Sequence, residues 1–467
     1  GVFYEKGVNG HQKMNIHYKS QEEDLNNHKA QYNLGIIYEQ GTLVPRDIDK
    51  AIHYYSLSTK HNDSRALYNL GVIYETGILA SRDIEKAIHY YSCFKKKSFG
   101  INDTVAQNNL GVLYFDGKYL PIDINKAIYY YTLASNQNYE LAHINLGAIY
   151  ETEKYGLLDI NKAIHYYSLA SNHIIAQYAL GCIYYNGVYI SRDIGKAIYH
   201  FTLASNQGHS YAQFYLGKIY FEGESVQKSI KKGFYYYSLS AHNQNKDACF
   251  VVGFLYHEGK IIERDIDKSI HYYKETSSFN NEYAKNNLGI IYKHGIEDKI
   301  KQNIGLSIEY FEESIRQRND CVSMYNLAHL YFYEEPIKDS INKSIDLLIR
   351  SLKSKAYPPK VLLCLCLIKK FGYDLQNIKA ELDKYRNESH DLSSIICQMI
   401  IVLQLNDTFK YEKLYEYYKP VDYLYDHNRK IILVKSINER TINPNQAINP
   451  RIRNIISVFY DGFGINI

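Results

Sequence analysis

Apolar residues recur along the chain in two alternating stripes of helical period. Ala30, Leu34 and Tyr38 stand at i, i+4 and i+8, with Ile37 beside them, which is one face of an α-helix. A few residues on, Ile48, Ala51, Ile52 and Tyr55 form a second stripe of the same kind. Between the two, Gly41 predicts the end of the first helix, because glycine takes the left-handed conformation there without a Cβ clash. Asp47 predicts the N-cap of the second helix, since its carboxylate can accept the orphan N–H groups of a first turn. Asp83, Asp123, Asp159, Asp193 and Asp265 stand at the same place in later copies.

The whole unit repeats. YNLGIIYEQG at 32–41 returns as YNLGVIYETG at 68–77, NNLGVLYFDG at 108–117, INLGAIYETE at 144–153, YALGCIYYNG at 178–187 and FYLGKIYFEG at 214–223. Weaker copies follow at 250–259, 286–295 and 325–334. The pivot glycines are Gly35, Gly71, Gly111, Gly147, Gly181, Gly217, Gly253 and Gly289, most of them 36 residues apart, with Ala328 in the ninth copy. The second half, RDIDKAIHYYS at 46–56, recurs in step. Two such helices cannot bury their apolar faces alone, whereas stacking consecutive units can. The expected fold is therefore an all-α solenoid of antiparallel helix pairs, held by nearest-neighbour interfaces. GVFYEKG at 1–7 matches the end of a first helix, so the chain reads as a fragment of a longer one.

The pattern A-x-x-x-L-G-x-x-Y-x-x-G followed by D-x-x-K-A-x-x-Y-Y resembles the Sel-one-like repeat, a relative of the tetratricopeptide repeat. The resemblance covers roughly residues 1–357. It implies a right-handed superhelix with the first helices on the concave side, and a non-catalytic scaffold or adaptor for protein complexes. Two other roles within that resemblance are the repeat region of a multidomain enzyme, such as a protein kinase with its catalytic domain upstream of Gly1, and an adaptor of the ubiquitin-ligase complex in endoplasmic-reticulum-associated degradation. Local departures are a two-residue deletion near Lys154–Gly156, Gly233 in place of the second-helix alanine, insertions near Lys97 and Lys301, and the loss of both glycines from the ninth copy.

The pattern fades at Pro358-Pro359. Residues 358–419 read as a divergent helical cap, with a stripe at Ile395, Met399, Ile400, Leu403 and Leu405, and residues 420–467 as a tail of undetermined structure. The net charge of +4 argues against a broad basic surface for nucleic acid. The longest apolar run, Val361–Ile368, is far short of the roughly 18–20 residues that span a bilayer, so membrane insertion is not expected. Seven cysteines, odd in number and at no fixed repeat position, read as reduced thiols of a cytoplasmic or nuclear protein.

No phosphate loop, nucleophile elbow or paired C-x-x-C is present, and no cofactor is expected. His53, His89, His165 and His271 share one register position, but packed helices lie about 8–10 Å apart, too far for one shared zinc ion. They read as a solvated face. The 50 tyrosines follow largely from copying a unit that uses several. Tyr38, Tyr74, Tyr114, Tyr150, Tyr184, Tyr220, Tyr256 and Tyr292 are expected on the buried stripe, as are Tyr55, Tyr91, Tyr131 and Tyr167. Tyr32, Tyr68, Tyr178 and Tyr325, with Phe214 and Phe250, occupy another column, either a partner anchor or packing between adjacent first helices. Beside it runs an asparagine column, Asn33, Asn69, Asn109, Asn145, Asn287 and Asn326, which helix propensity does not explain. By resemblance to the tetratricopeptide relatives, these amides would bond the backbone of a bound protein or peptide; otherwise they bond a neighbouring repeat.

Overall fold

The computed structural model describes residues 27–42, 44–93, 101–223, 225–278, 281–296, 300–318, 320–333, 339–351, 360–371, 377–378, 380–381, 422–425 and 431–434. The matching segment at 1–7 and the stripe at 395–405 lie outside them. The chain forms two compact units, residues 1–212 and 213–467. In the first unit the helix pairs are α1 (His28–Gln40) with α2 (Ile48–Thr59), α3 (Ser64–Thr76) with α4 (Ile84–Ser92), and α5 (Ile101–Asp116) with α6 (Ile124–Ser135). Then come α7 (Glu140–Glu151) with α8 (Ile160–Leu169), and α9 (Ile174–Asn186) with α10 (Ile194–Asn206). Helix α11 (Ser210–Glu222) spans the division in sequence and pairs with α12 (Ile230–His242) in the second unit. There follow α13 (Lys246–Glu258) with α14 (Ile266–Ser278), α15 (Glu282–His294) with α16 (Ile304–Arg318), α17 (Cys321–Tyr333) with α18 (Ser340–Ser351), and a further helix α19 (Lys360–Phe371) against α18. Strands β1 (Asp422–Tyr425) and β2 (Ile431–Val434) pair antiparallel, Asp422 opposite Val434 and Tyr425 opposite Ile431. The array is the all-α solenoid that the stripes predict, and the hairpin falls in the segment for which they predict nothing.

The helix ends are where the sequence puts them. Asp47, Asp83, Asp123, Asp159 and Asp193 each accept from the N–H three residues on, and Asp265 does the same for Lys268. Gly41 sits at φ 69°. Where two residues are deleted, a 3-10 turn at Glu153–Tyr155 intervenes, and Gly156 at φ 68° takes over the left-handed position. The arginine before the capping aspartate has its own task. Nε of Arg46, Arg82 and Arg264 donates to the carbonyls of Glu39, Glu75 and His257 at 2.9–3.0 Å. Each guanidinium thus satisfies a carbonyl that the end of the first helix leaves free.

One lock closes the first eight pairs. The ring of Tyr55 packs against Gly35, so that a Cβ there would stand 2.4 Å from the ring. Gly71 meets Tyr91, Gly111 meets Tyr131, Gly147 meets Tyr167, Gly181 meets Phe201, Gly217 meets Tyr237, Gly253 meets Tyr273 and Gly289 meets Phe311. These rings are at most 3% exposed. The ninth pair explains its own departure: Ala328 replaces the glycine, and fully buried Leu348 replaces the ring.

The outer tyrosine column departs from the expectation. Tyr38, Tyr74, Tyr114, Tyr150, Tyr184, Tyr220, Tyr256 and Tyr292 are half-buried rather than core. Each stacks on a second-helix ring, as Tyr38 does on Tyr54 at 5.6 Å and 6°, or Tyr114 on Tyr130 at 5.8 Å and 3°. The physical reason is the lysine of D-x-x-K. Lys50, Lys126 and Lys162 reach over the exposed ring at 4.8–5.3 Å while also pairing with the capping aspartate. A ring between a cation and a second ring is stabilised at the water boundary, so the column need not be interior.

Candidate functional site

The first helices of consecutive repeats meet side by side, α3 against α5 and α15 against α17. The asparagine and tyrosine columns lie at these junctions. In the first unit Asn33, Asn69, Asn109, Asn145, Tyr32, Tyr68 and Tyr178 are all half-buried. The amide of Asn69 lies beside the hydroxyls of Tyr55 and Tyr32 in the preceding repeat. One repeat later Asn109 donates to the Tyr91 hydroxyl at 3.4 Å and lies beside that of Tyr68. Asn145 donates to Asn108 at 3.0 Å. Tyr32 is further packed under the Arg65 guanidinium at 4.2 Å, and Tyr178 is stacked on His209 at 4.2 Å. In the second unit Asn287 donates to Tyr273 at 3.2 Å and Asn326 to Asn286 at 2.8 Å, and both asparagines are fully buried. The structure thus brings Tyr32 together with Asn69, and Tyr68 with Asn109, as clasps from one repeat to the next.

Glutamates that the sequence reading did not single out complete the clasp. Tyr55 donates to Glu39, Tyr91 to Glu75 at 2.6 Å and Tyr167 to Glu151 at 2.7 Å. The recurring Tyr-Glu pair at 38–39, 74–75 and 150–151 was the available signal. Burial holds the Tyr55, Tyr91 and Tyr167 hydroxyls far above the usual phenol range, and the glutamate beside each adds to it. Burial also raises the Glu151 carboxyl, and the Tyr167 bond offsets this only in part. A carboxyl raised in the folded state favours folding below its unfolded value, and that contribution is lost as pH rises through the folded value. Glu151→Gln keeps an acceptor for Tyr167 and removes the charge. The variant is expected to match the native chain in urea at pH 4 and to exceed it in midpoint at pH 7. A lower midpoint than native at pH 7 would contradict this account.

The repeated histidines His53, His89, His165 and His271 are exposed. No group of three potential metal-ligating side chains occurs among the described residues. Cys93, Cys182, Cys249, Cys321 and Cys366 are free thiols. Burial pushes Cys182 up to about 11 and Cys366 up to about 12, which leaves them protonated and unreactive at neutral pH. The side chains of Cys364 and Cys397 lie outside the described residues. No helix among the described residues is long and apolar enough to cross a membrane.

A stack of helix pairs whose recurring side chains join neighbour to neighbour defines a helical-repeat solenoid, a class that works through an extended surface. The chain belongs to the Sel1 repeat family, whose model matches nine segments: 28–63, 64–96, 104–139, 141–173, 174–209, 210–245, 246–278, 282–319 and 321–354. Among solved structures it is similar to a protective antigen of uropathogenic Escherichia coli with an SLR fold, at 22% identity and a TM-score of 0.63, over 76% of this chain and 75% of that one. It is also similar to a Sel1 repeat protein from Oxalobacter formigenes, at 22% identity and a TM-score of 0.59, over 71% of this chain and 96% of that one. These likenesses establish the fold. No curated protein sequence matches the chain.

Proposed function

We propose that the chain is a non-catalytic scaffold or adaptor that binds an extended segment of another protein along the face formed by its first helices. The observation that carries this reading is the half-buried column of the first unit. Asn33, Asn69, Asn109 and Asn145, with Tyr32, Tyr68 and Tyr178, keep part of their surface in water. The clasps set Tyr32 beside Asn69 and Tyr68 beside Asn109, and Asn109 is bonded to Tyr91. Side chains already ordered lose little entropy on binding, and an amide that donates through Nδ2 still has an oxygen to offer. The charged repeat residues have structural tasks instead: the aspartates cap helices and the lysines cover rings. The free thiols suit a reducing compartment, the cytoplasm or nucleus.

The test is the double variant Asn109→Ala with Asn145→Ala in the full chain. Each lost hydrogen bond is worth about 0.5–1.5 kcal/mol net, so a small fall in urea midpoint is expected with helical content unchanged. Proteins reproducibly captured by the native chain should be recovered at least several-fold less well. Unchanged recovery would reduce the asparagine column to inter-repeat packing and remove the main support for this face.

A further inference from the structure

One column of the first helices is half-open in some repeats and sealed in others. Ile36, Val72, Val112 and Cys182 are half-buried, and Ala148 is exposed. At the same repeat position in the second unit, Lys218 is half-buried, whereas Phe254 is 6%, Ile290 3% and His329 5% exposed. The next column follows suit: Asn33 to Asn145 are half-buried, whereas Asn287 and Asn326 are fully buried. Charged groups are enclosed as well. Glu282, Lys285 and Lys293 of α15 are at most 6% exposed, with Lys285 paired to Glu313 at 3.0 Å and Lys293 against Nδ1 of His329 at 2.6 Å. A helix pair alone does not bury both faces of a first helix, so burial on this scale calls for a further contact at α15 and α17. Strand β1 borders both helices.

We propose that the 422–434 hairpin is a built-in, displaceable occupant of the interaction face of the eighth and ninth repeats. This rests on the reading of that face as a peptide-binding surface and adds its regulation. The fit is mutual. A lone two-stranded hairpin is at best marginally stable in water and needs a surface to pack on. Ile431, Ile432, Leu433 and Val434 make β2 wholly apolar, with Tyr423, Leu424 and Tyr425 opposite Leu433, Ile432 and Ile431. The occupant is an extended segment, the shape of ligand that the first-helix face is proposed to grip. A partner competing for α15 and α17 must therefore displace the hairpin and offer aromatic and aliphatic residues in an extended strand. The first unit keeps its own column half-open.

Accessibility to a small maleimide tests this in the full chain, read by mass at the engineered site. Ile290→Cys should label at least tenfold more slowly than Ile36→Cys, its equivalent in α1. Leu424→Pro removes a donor and bends β1, which breaks the pairing with Ile432. In that background Ile290→Cys should label at least tenfold faster, while Ala284→Cys, in the core of the same helix and fully buried, stays slow. Equal labelling of Ile290→Cys and Ile36→Cys in the intact hairpin chain overturns the proposal, and so does a rate that Leu424→Pro leaves unchanged. If Ala284→Cys accelerates in step, the hairpin is part of the core rather than a displaceable occupant, and the proposal fails. None of these outcomes touches the first-unit columns, so the scaffold reading stands or falls on the asparagine variant.

Discussion

Tyr131→Ala is expected to cost the first unit about 3–5 kcal/mol, the range for emptying a buried aromatic site. Gly111→Ala is expected to cost about 1–3 kcal/mol by overpacking. Combined, the two should cost no more than Tyr131→Ala alone. A Cβ on Gly111 would stand 2.5 Å from both Cδ1 and Cε1 of Tyr131. The ring cannot retreat, because it is 2% exposed and packs between the two helices of its pair and the next repeat. With the ring gone the obstacle is gone, and alanine is a better helix residue than glycine by about 1 kcal/mol. The alanine at 111 should then be neutral or stabilising. Urea unfolding of the four chains measures the coupling. Costs that add to within about 0.5 kcal/mol, as at independent sites, would show that the ring is not what forbids a side chain at 111. The ninth repeat already carries the natural double change, Ala328 with Leu348.

Most of the fold was legible because a repeat compares with itself. The helix-ending glycines and capping aspartates recur at fixed offsets, and each has one physical explanation, so the structure places them as read. The partner of Gly35 was less legible. A glycine beside a leucine announces close approach but not what approaches, and Tyr55 lies 20 residues on. The Tyr38 column was misplaced because period alone puts it on the apolar stripe, and a ring held between a lysine and another ring obeys the same period. The asparagine column showed where to look, not what it does there. Its inter-repeat contacts depend on Tyr55 and Tyr91 of the preceding unit, which spacing within one helix does not reveal. The sealing of α15 and α17 was out of reach. It depends on a segment more than 80 residues further along, from Tyr333 at the end of α17 to Asp422, that shares no repeat pattern.

Gly233→Ala is expected to destabilise the second unit by about 1–3 kcal/mol, although five of the five preceding repeats carry alanine at that position: Ala51, Ala87, Ala127, Ala163 and Ala197. Both the internal consensus and helix propensity predict the opposite sign, a gain of up to about 1 kcal/mol. The structure decides between them. A Cβ on Gly233 would lie 2.8 Å from Cβ of Phe221, and 2.9 Å from both its Cα and its backbone nitrogen. Helix α12 therefore rests on the main chain of α11, and none of the three obstructing atoms can swing aside, since Cβ is fixed to Cα. The contrast with Gly111 is the test. There the obstacle is a side chain and its removal relieves the clash. Here Phe221→Ala leaves the Cβ, Cα and nitrogen in place, so Gly233→Ala should remain costly in that background. Ala197→Gly, the reverse exchange in a repeat with alanine, should lose only the propensity difference. If Gly233→Ala raises the urea midpoint, the close approach of α12 to α11 is wrong; if Phe221→Ala abolishes its cost, the obstacle is the ring and not the backbone.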